Sequence, residues 1–390
     1  METLYELFRT LLRDTNLDFI RYLHDEIDWE ARMFGILGAR GVGKTTLLLQ
    51  HIKKFHSTDD TLFVYADDIY FSENRLYDIA SAFYKNGGRH LYIDEIHKYA
   101  DWSKELKMMY DHFPKLQVVF TGSSILDLYK GSDDLSRRAL LYVMFGLSFR
   151  EYLNMSLGIS LPAYSLEDIL QNKVEFPTEI NHPLPLFKQY LQNGYYPFFN
   201  EPGYHKRLLT ILNIVLETDI PIYARMNVAT SKKLKQLLYI IAQSVPFKPN
   251  FTKIGTMLDA HRGQVSDFIV YLEKAGIITQ LRNHSKSIRE LGKVEKVFLG
   301  NTNLMYALAT ENTNIGNIRE TFFLSQMMVR NEITASPEAD FIVNGNTFEV
   351  GGKNKQQQQI KEISNAFIVK DDIEFGYDKT LPLWAFGFNY

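Results

Sequence analysis

A glycine-rich turn between an apolar run and a helix-like run, at residues 34–47, constrains the fold more than any other part of the sequence. Its residues complete the pattern G-x-x-x-x-G-K-[ST] in the context that the pattern requires. Glycine lets the backbone wind tightly enough for N–H groups to point inward, and the helix start adds partial positive charge. We therefore predict a phosphate-binding loop with these members: Gly38, Ala39, Arg40, Gly41, Val42, Gly43, Lys44, Thr45 and Thr46.

Lys44 and Thr45 give this loop its expected chemistry. A lysine is a mobile point charge that can reach β- and γ-phosphate oxygens, and a threonine hydroxyl can bind Mg²⁺. The alternative is a glycine-rich strand-to-helix turn with an incidental lysine, and the complete motif in its required context argues against it.

Short apolar runs alternate with helical stretches over residues 34–143, which predicts an α/β domain. The runs that we predict as strands are 34–37, 62–66, 91–94, 117–121 and 139–143. Such alternation is typical of a parallel sheet with crossover helices. Ligands of these sheets bind beyond the carboxyl ends of the strands, which is where the glycine-rich loop falls.

Two acids end the third predicted strand. Asp94 would bind Mg²⁺ from the strand end, and Glu95 would orient and polarise an attacking water. The next strand ends in hydroxyl side chains, and Thr121 and Ser123 are candidate nucleotide contacts. Serine at such a position serves equally well as a helix N-cap, so the sequence leaves both roles open.

An arginine pair precedes the last predicted strand. A guanidinium can stabilise the charge on a transferred phosphoryl group, in its own chain or in a neighbouring copy. We assign this role to Arg138 rather than Arg137, with an ordinary surface arginine as the alternative.

These motifs, with the segment at residues 147–152, resemble a family of prokaryotic AAA+-like ATPases that pair an N-terminal ATPase with a C-terminal domain of unknown function. The resemblance covers nearly the entire chain. It implies ATP as ligand, and Lys44, Thr45, Asp94 and Glu95 match the family's Walker residues one by one. The family's usual glycine before the arginine is Arg137 in this sequence, which leaves open which arginine acts.

Composition sets limits on class and location. The chain has 390 residues, 45% hydrophobic and 23% charged, and no cysteine, so it can form neither disulfides nor thiolate metal sites. Its first residues carry acids where a signal peptide carries bases, and no long uncharged apolar run follows. We therefore expect a cytoplasmic protein with no membrane partner.

Residues 225–296 are locally basic, with about 13 Lys and Arg against about 5 Asp and Glu, whereas the whole chain has a net charge of -3. Three helix-like stretches and a polar turn follow one another there, an order similar to a winged helix-turn-helix. We predict contact with duplex DNA; domain packing is the alternative use of such a fold. The predicted DNA-contacting residues are Lys232, Lys233, Lys235, Arg262, Gln264 and Ser266.

The last hundred residues contain acids on two strand-like runs that an Asn-Gly turn joins. Asp340 and Glu349 would project from adjacent strands, and Glu320 lies in a preceding helix-like stretch. The C-terminal part of the family resembles the restriction-endonuclease fold, in which such acids bind a divalent metal beside a lysine. That fold uses Glu-x-Lys, but Glu349 is followed by Val350 and Gly351, so Lys353 is the nearest lysine and a vestigial site is predicted.

These predictions combine into four parts. They are an AAA+-like P-loop ATPase domain with an N-terminal helix (1–150), a helical connector (151–225), a winged-helix-like domain (226–300) and a small α+β restriction-endonuclease-like domain (301–390). The predicted function is Mg²⁺-dependent ATP binding and hydrolysis that repositions the C-terminal module. The alternatives are an ATP-gated nuclease and a non-hydrolysing DNA-binding regulator or scaffold. Oligomeric state and any protein partner are open.

Overall fold

The computed structural model describes residues 1–122, 135, 137–176, 180, 182–244, 246, 248–283, 294–308, 314–355 and 363–390. They form two compact units, Met1–Gly146 and Leu147–Tyr390. The finer division of the second unit into three domains stays a prediction. Ser123 lies outside the described residues.

A five-stranded parallel sheet forms the centre of the N-terminal unit, as the alternating pattern predicted. Its spatial order is β2-β3-β4-β1-β5, and every neighbouring pair is parallel. The strands are β1 (Met33–Leu37), β2 (Thr61–Tyr65), β3 (His90–Asp94), β4 (Gln117–Gly122) and β5 (Leu140–Val143). The helices of this unit are α1 (Glu2–Asp14), α2 (Lys44–Phe55), α3 (Leu76–Lys85) and α4 (Trp102–His112).

The sheet order determines which residues meet. All five residues of β1 are buried, because β1 lies between β4 and β5 and helices cover the sheet. The glycine-rich loop leaves the carboxyl end of β1, and β4 and then β3 end at the same edge. This edge therefore brings together the loop, Asp94 and Thr121, which are far apart in the sequence.

The C-terminal unit begins with helices. They are α5 (Phe149–Leu157), α6 (Leu166–Leu170), α7 (Pro183–Asn193), α8 (Tyr204–Ile214), α9 (Ile220–Ala224), α10 (Val228–Ser244), α11 (Phe251–Leu258) and α12 (Arg262–Lys274). A π-helical turn, Val215–Asp219, joins α8 to α9. A capping box begins α5, where the Ser148 hydroxyl accepts from the Glu151 N–H and the Glu151 carboxylate accepts from the Ser148 N–H.

Three consecutive helices and a hairpin occupy the basic segment. Helix α10 buries apolar residues that include Leu234 and Leu238, and α11 and α12 follow it as the second and third of the predicted helices. Strands β6 (Ile278–Arg282) and β7 (Val294–Leu299) then pair antiparallel. The three predicted helices are present and an antiparallel strand pair follows them, whereas the assignment as a winged helix stays a prediction.

A second five-stranded sheet ends the chain, in the order β12-β11-β10-β9-β8. Helices α13 (Thr302–Leu308) and α14 (Ile315–Met327) precede it. Its strands are β8 (Ile333–Ala335), β9 (Phe341–Val343), β10 (Asn346–Gly351), β11 (Ala366–Lys370) and β12 (Thr380–Pro382). Strands β8, β9 and β10 are antiparallel to one another, whereas β11 and β12 continue in parallel.

The predicted turn between β9 and β10 is present. Asn344 and Gly345 have φ values of 47° and 83°, the left-handed pair that a two-residue hairpin turn requires. This local signal fixes the register that opposes Phe341 to Phe348. No helix in the described ranges is long and apolar enough to cross a membrane.

A histidine cluster lies in the N-terminal unit. Its members are His24, His51, His56 and His90. His51 stacks on the Trp29 ring at 3.5 Å and its Nδ1 lies 3.2 Å from His24 Nε2. Burial lowers the pKa of His51 to about 3 and that of His56 to about 4, and neighbouring histidines add to both effects.

We predict that this cluster makes the N-terminal unit acid-sensitive. An unfolded histidine has a pKa near 6.5, so between about pH 6.5 and 4 the unfolded chain binds more protons and the unfolding free energy falls. His51→Phe keeps an aromatic ring on Trp29 and removes one titrating group. Between pH 7 and pH 5, the unfolding free energy of the variant should fall by about 1–2 kcal/mol less than that of the wild type. Urea unfolding at both pH values measures this difference. Equal losses in the two proteins would contradict the assignment.

Candidate functional site

The glycine-rich loop has the backbone shape that its glycines permit. Gly41 and Gly43 adopt left-handed φ values of 85° and 99°. A side chain at Gly38 would collide with the carbonyl oxygen of Met144, so the close approach between loop and chain requires glycine at this position.

Lys44 lies at the start of α2 with its side chain directed back over the loop. It is 5% exposed, and its Nζ donates to the carbonyl oxygens of Gly38 and Ala39 at 3.0 Å each. The ammonium group is therefore held inside the loop, where phosphate oxygens of a bound nucleotide would compete for the same three donors.

The carboxylate of Asp94 is the centre of the site. Thr45 Oγ1 donates to Asp94 Oδ2 at 2.6 Å, and the Thr121 hydroxyl donates to Oδ1. Asp94 is 1% exposed, and this burial raises the pKa of its carboxyl, while the two hydroxyl donors lower it in part. A hydroxyl and a carboxylate in contact form the hard oxygen set that Mg²⁺ prefers, so these residues fit the predicted metal.

Thr121 has a role that the sequence did not indicate. Besides binding Asp94, its hydroxyl oxygen accepts from the backbone N–H of Glu95 at 3.1 Å. It therefore contacts both residues of the predicted acid pair, and its contact with a nucleotide stays a prediction. Thr46, by contrast, has an exposed side chain on the first turn of α2.

Glu95 leaves the strand in a left-handed conformation, with φ of 52°. Its Oε2 lies 3.6 Å from His97 Nε2 and 3.9 Å from Arg40 Nη2. The carboxylate thus faces the loop from beyond the strand end and stays 21% exposed, which suits a group that must contact a water.

Arg21 is a residue of this site that the sequence analysis missed. It is 5% exposed, its Nη1 donates to the Val42 carbonyl at 2.6 Å, and its Nη2 donates to the carbonyls of Phe145 and Gly146 at 2.8 Å each. A basic residue among apolar ones in a helix-like segment gave no signal, because its partners are distant in the sequence.

The structure corrects the position expected for Arg138. Its guanidinium forms two bonds to the Asp111 carboxylate, Nε to Oδ1 at 3.0 Å and Nη2 to Oδ2 at 3.1 Å. Because β5 runs parallel to β1 and Leu140 pairs with Phe34, Arg138 lies at the amino end of the strands. The loop lies at the opposite edge, so Arg138 cannot reach a nucleotide in its own chain, and a role toward a neighbouring copy stays a prediction.

The three C-terminal acids do converge, but with other lysines than the one predicted. Lys296 Nζ, from β7, donates to Glu320 Oε2 at 3.2 Å and to Asp340 Oδ1 at 3.4 Å. Lys355 contacts Glu349. Lys353, the lysine that was predicted, is exposed. The acids instead contact Lys355 and Lys296, and Lys296 comes from the distant strand β7.

Lysines pair with all three members of the acidic cluster, Glu320, Asp340 and Glu349. Burial raises the pKa of Glu320 and of Glu349, and the nearby Asp340 charge raises both further, while the lysines oppose the effect. Across the described part of the chain, no group of three or more histidine and acidic side chains is arranged to hold a metal ion.

The predicted DNA-contacting residues divide into two sets. Arg262 and Ser266 are exposed on the first turns of α12, and Gln264 is half-buried beside them. Lys232 is exposed on α10.

Two of the predicted lysines have internal partners. Lys233 contacts Asp259, with Nζ 3.3 Å from Oδ2, and Lys235 Nζ lies 2.8 Å from Glu217 Oε1. Two of the three α10 lysines therefore pair with acids of the same chain, and the contact of all three with a nucleic acid stays a prediction.

Comparisons with known proteins give two matches to domain families. Residues 30–153 match the model of an AAA domain, and residues 184–315 match the model of a domain of unknown function. An uncharacterized protein of Methanocaldococcus jannaschii, MJ1637, is 26% identical over 281 residues, which are 67% of this chain and 59% of that protein. The chain thus spans less than two thirds of the length of this relative.

Solved structures with some similarity include two nucleotide-related proteins. The Walker-type ATPase PABY2304 of Pyrococcus abyssi has a TM-score of 0.46 and 12% identity, over 74% of this chain and 95% of that one. DnaA of Aquifex aeolicus bound to AMPPCP has a TM-score of 0.29 and 13% identity, over 69% and 87%. These scores are too low to define a common fold. The AAA-domain match, with the parallel sheet and its loop, supports the predicted AAA-like ATPase domain followed by a domain of unknown function.

Proposed function

We propose that the N-terminal unit binds ATP with Mg²⁺ and hydrolyses it to ADP and phosphate. One observation carries this proposal: Thr45 and Thr121 both donate to the buried carboxylate of Asp94, directly beside the glycine-rich loop. A phosphate cradle and an oxygen site for a divalent cation therefore occupy the same edge of the sheet. The AAA-domain match over residues 30–153 supports it.

Each residue of the site has a defined task in this proposal. The loop N–H groups bind the phosphates, and Lys44 exchanges its contacts with the Gly38 and Ala39 carbonyls for phosphate oxygens. Thr45 and Asp94 would hold Mg²⁺, which neutralises phosphate charge when it is bound. Glu95 orients the water that attacks the γ-phosphate.

We further propose that the nucleotide state is transmitted toward the C-terminal unit. Arg21 supports this step, because one guanidinium binds the loop at Val42 and also the last two residues of the N-terminal unit, Phe145 and Gly146. A change of loop conformation therefore acts on the chain immediately before Leu147.

A second candidate function is binding of duplex DNA by the helix α12 region. The observation that favours it is the exposure of Arg262 and Ser266 at the start of α12, within a segment of local charge near +8. The nuclease alternative has less support. Lys296 and Lys355 already neutralise acids of the acidic cluster, and we propose that this cluster stabilises the C-terminal unit.

We predict that Glu95→Gln separates ATP binding from hydrolysis. The amide keeps the size of the side chain but cannot accept a proton or orient water in the same way, so turnover should fall at least 100-fold. ATP affinity should stay within about threefold, since the loop is unchanged. Phosphate release and fluorescent-nucleotide binding measure the two quantities. Lys44→Ala is the control and should weaken ATP binding itself. Unchanged affinity and turnover in Lys44→Ala would refute the ATPase proposal.

We predict that Arg262→Ala weakens binding to duplex DNA and lowers the slope of log affinity against log salt by about 1. Lys235→Ala is the matched control, because its cation already pairs with Glu217, and it should have the smaller effect. Fluorescence anisotropy with a labelled duplex at several salt concentrations measures both. Equal effects of the two substitutions, or no binding by the wild type, would rule out this interface.

We predict that Lys296→Met destabilises the C-terminal unit by roughly 1–3 kcal/mol at pH 7, because it leaves Glu320 and Asp340 without their shared cation. The pKa of Glu320 is already raised and should rise further. A native carboxyl with a raised pKa binds protons more tightly than the unfolded chain does, so the loss should shrink as the pH falls from 7 to 5.

The matched double variant Lys296→Met/Glu320→Gln removes one of the two uncompensated charges and should recover part of the lost stability. Urea unfolding at both pH values provides the comparison. A loss that is the same at pH 7 and 5, and that Glu320→Gln does not relieve, would show that the acidic cluster is not an ionic network.

A further inference from the structure

Arg40 extends from the glycine-rich loop toward the second acid of the site. It follows Gly38 by two positions, and its Nη2 lies 3.9 Å from Glu95 Oε2. His97 Nε2 lies 3.6 Å from the same oxygen, and its side chain is only 2% exposed. The guanidinium and a buried imidazole therefore face one oxygen of the Glu95 carboxylate, which is 21% exposed.

This position matters because of where charge develops during phosphoryl transfer. A loop of this type surrounds the phosphates, and the carboxylate that orients the attacking water faces the terminal phosphate. A cation beside that carboxylate lies on the side of the loop where the transferred group carries its charge. In a partly desolvated site, a preplaced guanidinium stabilises this charge strongly and needs no reorganisation.

The other cations considered for this task have different positions. Lys44 Nζ donates to the Gly38 and Ala39 carbonyls within the loop. Arg138 lies at the amino ends of the strands, whereas the loop lies at their carboxyl ends. Its guanidinium makes two hydrogen bonds to the Asp111 carboxylate. The arginine that the loop itself contributes is therefore the one directed at the water-orienting acid.

We propose that Arg40 is a catalytic residue that stabilises, within its own chain, the charge on the transferred phosphoryl group. This inference rests on the proposed ATPase function. Both contacts to Glu95 use Oε2, so Oε1 can accept from the attacking water. The bond from the water oxygen to the γ-phosphorus forms while the bond to the β,γ-bridging oxygen breaks. ADP leaves with that electron pair, and the water proton passes through Glu95 to the released phosphate.

In this scheme Glu95 also positions the guanidinium, and His97 acts through its contact with Glu95 Oε2. The planar fork of arginine can contact a carboxylate with one N–H and a phosphate oxygen with another, which an ammonium group at the same place cannot do in one plane. Arg40→Lys should therefore retain only part of the effect of the native side chain.

The test compares full-length wild type, Arg40→Ala, Arg40→Lys and Arg13→Ala. Arg13 is an exposed arginine on α1 that pairs with Asp14, and its loss should change nothing at the site. Steady-state hydrolysis gives kcat and KM, and binding is measured with ADP alone and with ADP plus aluminium fluoride, which mimics the transferred phosphoryl group. Arg40→Ala should lower kcat at least 100-fold and abolish the aluminium fluoride-dependent gain in affinity. The ADP affinity of Arg40→Ala should stay within about threefold of the wild-type value. The kcat of Arg40→Lys should lie between those of wild type and Arg40→Ala.

The possible outcomes separate the inference from the proposed function. A kcat within threefold of wild type in Arg40→Ala overturns the inference while leaving the ATPase function intact. The inference is also overturned if Arg40→Ala lowers ADP affinity together with kcat while aluminium fluoride still raises the affinity for ADP. Arg40 would then only shape the loop. A wild-type protein without turnover refutes the proposed function first, before any Arg40 variant is measured.

Discussion

The nucleotide site depends on one buried carboxylate and the two hydroxyl groups that bind it. Asp94 is almost fully buried at the end of β3, Thr45 reaches it from the start of α2, and Thr121 reaches it from the end of β4. Burial of a charged carboxylate is costly, and hydroxyl donors offset part of that cost. This arrangement requires β3 and β1 to lie on either side of β4, so the order of the strands is part of the chemistry.

The sequence predicted the parts of the site that local patterns encode. The loop, the five strands and the Asp94–Glu95 pair follow from motifs a few residues long, in which glycine and strand-end acids have definite backbone meanings. It did not predict that Thr121 binds Asp94, or that Arg21 binds the loop, because these bonds join residues that are far apart in the chain. Arg138 was misplaced for a related reason, since spacing alone does not show which end of a strand a flanking residue occupies.

The C-terminal sheet shows the same division between local and distant information. The Asn344–Gly345 turn and its two strands follow from a two-residue signal with a definite left-handed geometry. The cation of the acidic cluster could not be found that way, because Lys296 comes from β7 and meets Glu320 and Asp340 only after the sheet has formed. A search for Glu-x-Lys examines neighbours in sequence, whereas this cluster is neutralised by a neighbour in space.

Arg21 gives the proposed transmission a physical basis that a lysine could not provide. Its planar fork serves three carbonyl oxygens at once, one on the loop and two at the end of the N-terminal unit, within 2.6–2.8 Å. The guanidinium is buried, so losing a contact would leave a charged donor and a carbonyl unsatisfied, at a cost of about 1–3 kcal/mol. Movement of Val42 on nucleotide exchange must therefore either displace Gly146 with it or incur that cost.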